Sequence, residues 1–279
     1  MTSTPEAVSA RPAKRVPVIL STSSVYPEST TAAFEIAANL GYDGVEVMVW
    51  TDGASQDSRT LSRLADHYGV PVLAVHSPCL LVTQRVWSSD PWERLRRSLV
   101  MAQDLEAPTV VLHPPFIWQR EYARGFRAGI ERFLDEFPKT QIAVENMYPV
   151  RMARREFIPY APHWDPTTVG FQRYTLDSSH CAAARTDALE MAEKMGDAIG
   201  HVHLGDGNGE GRDEHLVPGR GSQPCGPVLE YLVSMGYTGA VSVEVNTRKA
   251  GGREGREAAL EESLAFARKH LAAASAASV

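Results

Sequence analysis

Eight short runs of β-branched and aliphatic residues alternate along the chain with longer amphipathic segments. The runs predict strands at 16–20, 44–49, 72–75, 109–112, 141–144, 173–176, 199–204 and 240–245. The longer segments predict helices at 30–40, 57–68, 92–105, 121–137, 181–195, 226–235 and 256–271. Parallel strands need crossover connections of this length, and runs that are apolar without alternation are typical of strands covered on both faces. The pattern therefore predicts an α/β fold with a parallel sheet.

Eight strand–helix repeats favour a closed barrel over an open doubly wound sheet. One (β/α)8 barrel fills about 250 residues, and the chain has 279. The open sheet lacks support, because the segment after the first strand, VILSTSSVYP, contains no Gly-rich dinucleotide fingerprint. We predict a single (β/α)8 TIM barrel over residues 16–271, a disordered N-terminal leader at 1–15 and a flexible tail at 272–279.

Composition narrows the choice of partner and compartment. There are 28 Lys and Arg residues against 34 Asp and Glu, a net charge of −6, so no overall positive field attracts a polyanion. The three cysteines, Cys79, Cys181 and Cys225, are widely spaced and form no CxxC, which is typical of a reducing compartment. The chain has neither an apolar run of membrane-spanning length nor the apolar segment of a secretory signal. We therefore expect a cytoplasmic protein without a membrane partner.

Residues that commonly bind metals stand at the ends of six predicted strands. They are His76, His113, Glu145, Asp177, His203 and Glu244, with one strand–helix unit between successive members (76→113→145→177→203→244). In a barrel, the C-terminal strand ends surround one pocket, which is where active sites of this fold are built. We therefore expect these side chains to converge.

Carboxylates and imidazoles that share one cavity lose hydration and repel one another unless a cation neutralises them. Oxygen and nitrogen ligands without thiolate favour Mn²⁺, Zn²⁺, Co²⁺ or Fe²⁺, and the sequence does not choose among these ions. His180 after Asp177 and the Asp213-x-His215 pair in GRDEHLVPGRG offer three more ligands. His201 shares the pleat parity of His203, but His203 is favoured because it lies nearer the C-terminal end of the strand.

Each of these residues also has a simpler interpretation. A single histidine at a strand end is more often a hydrogen-bonded structural residue than a ligand, and a glutamate before a turn is often only solvated. Because several independent strand ends carry the same residue types, the metal site is the favoured interpretation.

The long connection from 147 to 171 is a candidate lid or substrate wall. It contains Arg151, Arg154 and Arg155, which could grip a phosphate or form only a solvated basic turn. Trp50, Trp87 and Trp118 follow the second, third and fourth strands, so they could line a sugar-binding face or pack between helices. The candidate substrate-binding residues are Trp50, Arg151, His180 and Arg220.

The strand-end residues resemble the metal site of the xylose isomerase-like barrel superfamily, which contains sugar isomerases and epimerases as well as endonuclease IV. The resemblance covers residues 16–271. Glu145, Asp177, His203 and Glu244 match the four ligands of the ketose 3-epimerases, in which both glutamates also move the proton. All nine ligand positions of the trinuclear zinc site of endonuclease IV are matched when five more residues are added, namely His76, His113, His180, Asp213 and His215.

Two segments depart from the endonuclease pattern. SPCLLVTQ after His76 lacks the expected Tyr and Asn, and LGDGNG after His203 lacks the Asn-Asp-Ser-Lys run. The resemblance therefore favours isomerisation or epimerisation of a small sugar or sugar phosphate. In that reaction one to three divalent ions, with Zn and Mn as the favoured metals, stabilise an enediolate intermediate. Glu145 and Glu244 exchange the proton. His180 and Arg220 orient the substrate hydroxyls.

Two other functions stay open. One is hydrolysis of abasic DNA by a multinuclear zinc site in which Glu145 bridges ions, the only interpretation in which DNA is a partner. The other is an inactive barrel that serves as a binding module. The sequence leaves the substrate and the oligomeric state open, a homo-oligomer included.

Overall fold

The computed structural model describes residues 15–152 and 155–277. Almost all of the predicted leader lies outside these ranges, and so do Arg154 and the last two residues of the predicted tail. None of the helices in the described ranges is long and apolar enough to cross a membrane.

Eight parallel strands close into a barrel, and a two-stranded hairpin lies outside it. The strands are β1 (Val18–Ser21), β2 (Val45–Met48), β3 (Val72–His76), β4 (Thr109–Leu112), β5 (Gln141–Glu145), β6 (Val150–Met152), β7 (Arg155–Phe157), β8 (Tyr174–Asp177), β9 (Ile199–Leu204) and β10 (Ala240–Val243). Their order around the barrel is β1-β10-β9-β8-β5-β4-β3-β2, and β1 closes it by pairing with both β10 and β2. The predicted (β/α)8 barrel is confirmed.

Helices follow the strands and cover the outside of the barrel. They are α1 (Thr30–Leu40), α2 (Ser58–Tyr68), α3 (Pro91–Asp104), α4 (Arg120–Glu136), α5 (Ser178–Ala184), α6 (Ala188–Met195), α7 (Cys225–Ser234) and α8 (Arg253–Ala277). The N-cap and C-cap of α1 follow from its sequence, since Ser29 accepts a hydrogen bond from the Ala32 amide and Gly41 takes φ 80°. The last helix, α8, continues to Ala277 and so includes most of the segment predicted as a tail.

The helix predicted at 181–195 is two helices. Arg185 adopts a left-handed conformation with φ 61°, which ends α5. Two residues later, the Asp187 carboxylate accepts hydrogen bonds from the Leu189 and Glu190 amides and begins α6.

The long connection after β5 contains a small antiparallel hairpin that the sequence did not predict. Its strands β6 and β7 pair Arg151 with Glu156, and the three residues of β7 are exposed. Strands this short carry no alternation of apolar and polar residues that periodicity could detect.

Alternation along the strands divides the core into two parts. Val18 and Leu20 of β1 belong to the large apolar cluster that includes the surrounding helices. Ile19, between them, packs with Ala74 and Ala240 in a separate buried cluster inside the barrel. Several other inward positions of the barrel are polar, including Glu46, His201 and His203, each with no exposed surface.

Candidate metal centre

Glu145, the last residue of β5, lies at the centre of a group of imidazoles. Its Oε2 atom is 3.3 Å from Nε2 of His76 and 3.0 Å from Nε2 of His113. Its Oε1 atom is 3.1 Å from Nδ1 of His180 and 3.2 Å from Nδ1 of His203. One buried carboxylate thus joins residues from four different strand ends.

Asp177 and Glu244 approach the same nitrogen of His203. Nδ1 of His203 lies 3.0 Å from Oε2 of Glu244 and 3.5 Å from Oδ2 of Asp177. The Asp177 Oδ2 atom is buried and has no hydrogen-bond partner among the described residues. Ligand atoms of Glu145, Asp177 and His203 lie within 4.8 Å of one another, which suits a single divalent ion.

A third group forms around Asp213, in the connection after β9. Its Oδ2 atom is 3.4 Å from Nε2 of His180 and 3.0 Å from Nε2 of His215. The Ser179 hydroxyl donates to the other Asp213 oxygen at 2.9 Å. The structure therefore brings together all nine residues predicted as metal ligands.

Backbone carbonyls fix the orientation of three of the five imidazoles. In each case Nδ1 donates to a carbonyl oxygen and Nε2 faces a carboxylate, that of Glu145 for His76 and that of Asp213 for the other two. The pairs are His76 with Ser77 (3.0 Å), His180 with Asn146 (2.9 Å) and His215 with Glu244 (2.9 Å). The Nδ1 atom of His180 also lies 3.1 Å from Glu145. A ring with one nitrogen committed in this way presents the other as a metal ligand.

The charges in the group compensate one another. Burial opposes ionisation of Glu145, but the imidazoles of His203 and His113 outweigh it and hold the carboxyl pKa well below its usual range. Burial also opposes protonation of His180, but Asp177 and Asp213 raise its pKa well above normal. Burial dominates at His113 and lowers its pKa. Imidazoles and carboxylates at hydrogen-bond distance give up the protons between them when a divalent cation binds, so the donor set fits such an ion.

Glu46 and His201 were missed as site residues by the sequence analysis. Glu46, on β2, places one oxygen 3.0 Å from Nε2 of His203 and the other 2.9 Å from Nε2 of His201. The signal was present, because an acidic residue inside the apolar run VEVM is unusual and His201 shares the parity of His203. Both histidines point into the barrel, whereas the sequence analysis had favoured His203 alone.

A cavity of about 600 Å³ adjoins the centre beside Glu244 and His215. Its wall is largely apolar and is formed by residues at or after the ends of β1, β2, β3 and β10, together with His215 from the connection after β9. The apolar wall residues are Tyr26, Pro27, Met48, Trp50, Leu80 and Val245. Arg248 also lines the cavity, and its guanidinium lies 4.6 Å from the centre of the Tyr26 ring.

The predicted substrate-binding residues divide into two pairs. Trp50 lines the cavity, and His180 lies within the ligand group. Arg151 pairs with Glu156 at 3.0 Å and also donates to the Ala183 carbonyl. Arg220 pairs with Glu262 of α8, and neither arginine is among the described residues that line the cavity.

The other two tryptophans predicted to line a sugar-binding face, Trp87 and Trp118, also lie outside this cavity wall. Trp118 stacks on Phe116 with the ring centres 4.5 Å apart, and it is half exposed. The indole nitrogen of Trp87 donates to the Gln56 carbonyl, while its ring packs against the main core. Packing between secondary-structure elements therefore accounts for Trp87.

Comparison with known proteins identifies the family of the chain. The family model described as xylose isomerase-like TIM barrel matches residues 34–270. An uncharacterized protein of Mycobacterium tuberculosis is 48% identical over 280 residues, covering 94% of this chain and 99% of that protein. A D-psicose 3-epimerase of Enterocloster bolteae is 34% identical over 242 residues, covering 76% of this chain and 75% of that protein.

A solved structure described as a D-tagatose 3-epimerase-like protein superposes with a TM-score of 0.66 at 23% identity, covering 91% of this chain and 98% of that one. At that identity the likeness shows the fold alone. The family match and the identity to its relatives establish that the chain belongs to the xylose isomerase-like TIM barrel family.

Proposed function

We propose that the protein is a divalent-metal-dependent isomerase or epimerase of a small polyhydroxy carbonyl compound, a sugar or sugar phosphate. The observation that carries the proposal is the placement of Glu145 and Glu244. The two carboxylates come from strands three positions apart around the barrel, yet both lie within 3.2 Å of Nδ1 of His203. Two carboxylates around one ion position are what a proton exchange at a sugar carbon requires.

Glu145, Asp177, His203 and Glu244 would hold the ion. The cation supplies Lewis-acid polarisation of adjacent substrate oxygens, which makes the neighbouring carbon-bound proton acidic. Of these four residues, Glu244 is the one that lines the cavity, and its Oε1 atom accepts a hydrogen bond from the Ser23 hydroxyl at 3.0 Å. That bond orients Glu244 to exchange a proton with a molecule in the cavity, while Glu145 exchanges one from the buried side.

The cavity suits a small molecule better than a polyanion. Its charged lining comprises Arg248 against the three carboxylates of Glu28, Asp52 and Glu244, together with His215. Nucleic-acid sites instead present clustered cations to the phosphate backbone. The 34% identity to a D-psicose 3-epimerase supports the same assignment.

Hydrolysis of a phosphodiester at abasic DNA is the second candidate. The specific observation in its favour is that five further ligand-type residues extend the centre on either side of Glu145. His76 and His113 lie on one side, and His180, Asp213 and His215 lie on the other. A set of this size could hold two or three ions around a bridging carboxylate.

Hydrogen exchange in deuterated water tests the first candidate. Zn²⁺- or Mn²⁺-loaded protein is incubated with ketoses and ketose phosphates, and deuterium at the carbon beside the carbonyl is followed by NMR. We expect incorporation with at least one ketose, and its loss in Glu145→Gln and Glu244→Gln. Glu262→Gln, on the outer surface, is the matched control and should exchange normally. Full activity in both site variants would refute the mechanism.

Metal stoichiometry and DNA cleavage separate the two candidates. Metals per chain are counted by elemental mass spectrometry, and the same sample is incubated with a duplex that contains one abasic site. One ion per chain without nicking excludes the phosphodiesterase. Two or three ions with rapid nicking, and no exchange on any ketose, would replace the isomerase assignment.

A further inference from the structure

The carboxylate of Glu46 lies beneath the metal-ligand group and outside it. Its two oxygens accept from two imidazoles of one strand, His201 at 2.9 Å and His203 at 3.0 Å. All three side chains have no exposed surface. Glu46 is on β2, three positions around the barrel from β9, which carries both histidines, so these contacts cross the barrel interior.

His203 can offer only one nitrogen to a metal ion, and its surroundings determine which one. Nδ1 faces Glu145, Asp177 and Glu244, whereas Nε2 faces Glu46 alone. A carboxylate accepts hydrogen bonds and donates none, so the proton of the neutral ring belongs on Nε2. The lone pair is then left on Nδ1, where the other three carboxylates converge.

We propose that Glu46 is a positioning residue that fixes the orientation and the proton of His203, with His201 holding Glu46 in place. The Nδ1 atom of His201 is buried without a hydrogen-bond partner among the described residues, so the contact from its Nε2 to Glu46 is the polar contact that this ring makes. That contact occupies the second oxygen of Glu46 and directs the first toward His203. The inference rests on the metal dependence proposed above.

Replacement of the carboxylate by an amide tests this role. Glutamine has one accepting oxygen and one donating NH₂ group, so it cannot accept from both histidines at once. When the NH₂ group faces His203, the ring proton must move to Nδ1, which removes the ligand. When the amide oxygen faces His203, the tautomer is kept, but a neutral acceptor replaces the carboxylate, so the hydrogen bond is weaker and Nδ1 is a weaker ligand. Loss of such a partner typically costs about 10- to 100-fold in metal affinity. We therefore expect Glu46→Gln to bind Zn²⁺ about 10- to 100-fold more weakly than the wild type.

The measurement is competition for Zn²⁺ against a chelator of known affinity, with folding checked by circular dichroism. Glu230→Gln is the matched control, because Glu230 pairs with His270 at 2.8 Å outside the site, and it should bind Zn²⁺ like the wild type. His201→Gln keeps a donor toward Glu46, so it should weaken binding far less than Glu46→Gln.

A second readout addresses His203 directly. In Zn²⁺-loaded protein with ¹⁵N-labelled histidine, the Nε2 proton of His203 should be protected from exchange with water. Glu46→Gln should lose this protection, an effect that a general loss of stability would not confine to one ring.

Four results would overturn the inference. The first is a folded Glu46→Gln protein that binds Zn²⁺ as tightly as the wild type. The second is an equal loss of Zn²⁺ affinity in Glu46→Gln and His201→Gln. If Glu46→Gln does not fold, Glu46→Asp decides, because it keeps the charge and withdraws the oxygens by one methylene. The third result is Zn²⁺ affinity in Glu46→Asp equal to that of the wild type. If the wild type itself binds no divalent cation, the proposed function fails together with this inference, whereas the first three results leave the proposed function intact.

Discussion

Asp206 organises the loop that presents two of the nine candidate ligands, although it touches none of them. It is fully buried just after β9 and accepts hydrogen bonds from four backbone amides. Oδ1 accepts from Gly207 at 2.8 Å and Gln223 at 3.0 Å, and Oδ2 accepts from Gly219 and Gly221 at 2.9 Å each. These contacts fold residues 206–223 into a loop around one carboxylate.

Asp206→Asn should destabilise this loop by an amount that follows from its geometry. The amide oxygen of asparagine keeps two of the four bonds, and its NH₂ group faces the other two amides, which then lose their acceptor. Each buried donor without a partner costs about 1 to 3 kcal/mol. The loop is partly exposed, so we expect a total loss of about 2 to 4 kcal/mol. In a chain of this size that corresponds to a fall in Tm of roughly 3 to 7 °C.

Thermal unfolding followed by circular dichroism measures the effect, and Asp187→Asn is the matched control. Asp187 accepts from two amides through Oδ1 alone, so asparagine keeps both bonds and stability should hardly change. Zn²⁺ binding should also weaken in Asp206→Asn, because Asp213 and His215 lie on the loop that Asp206 organises. An unchanged Tm in Asp206→Asn would refute the role assigned to this carboxylate.

Three further perturbations have clear expected outcomes. Burial opposes protonation of the His215 ring, but the Asp213 carboxylate raises its pKa from the ordinary value of 6.5 to about 10. Metal-free protein should therefore lose stability as the pH rises from 6.5 to about 10. Zn²⁺ must displace such protons, so calorimetry in buffers of different ionisation enthalpy should show proton release on binding, and its absence would contradict the protonated network. Gly129→Ala should lose about 1 to 3 kcal/mol on thermal unfolding, since its Cβ would lie 1.9 Å from the Trp92 ring. Gly125→Ala on the same helix, with 3.7 Å to that ring, should be neutral or stabilising, and equal losses in the two variants would refute the steric argument.

The barrel could be predicted because its pattern is local and repeated. Thr109–Leu112 and Ile199–Leu204 coincide with their predicted strands, since an apolar run bounded by turns is visible in the sequence itself. Convergence of Glu145, Asp177 and His203 followed from the architecture, because the ends of parallel barrel strands share one face.

The parts of the site that could not be predicted depend on contacts between residues far apart in the sequence, which no local pattern encodes. Glu46 stands two residues before its strand ends, and only the closed barrel brings it against His203. Arg220 was predicted to orient substrate, but it pairs with Glu262, which lies 42 residues further along the chain. Such pairings are set by where α8 packs, and charge type alone does not reveal them.

The most direct test of the metal centre is a crystal structure of the protein grown with Mn²⁺ or Zn²⁺, with anomalous differences recorded at the metal edge. We expect an anomalous peak about 2.0 to 2.2 Å from ligand atoms of Glu145, Asp177, His203 and Glu244. A fully loaded crystal in which no ion is bound by these four side chains would contradict the account.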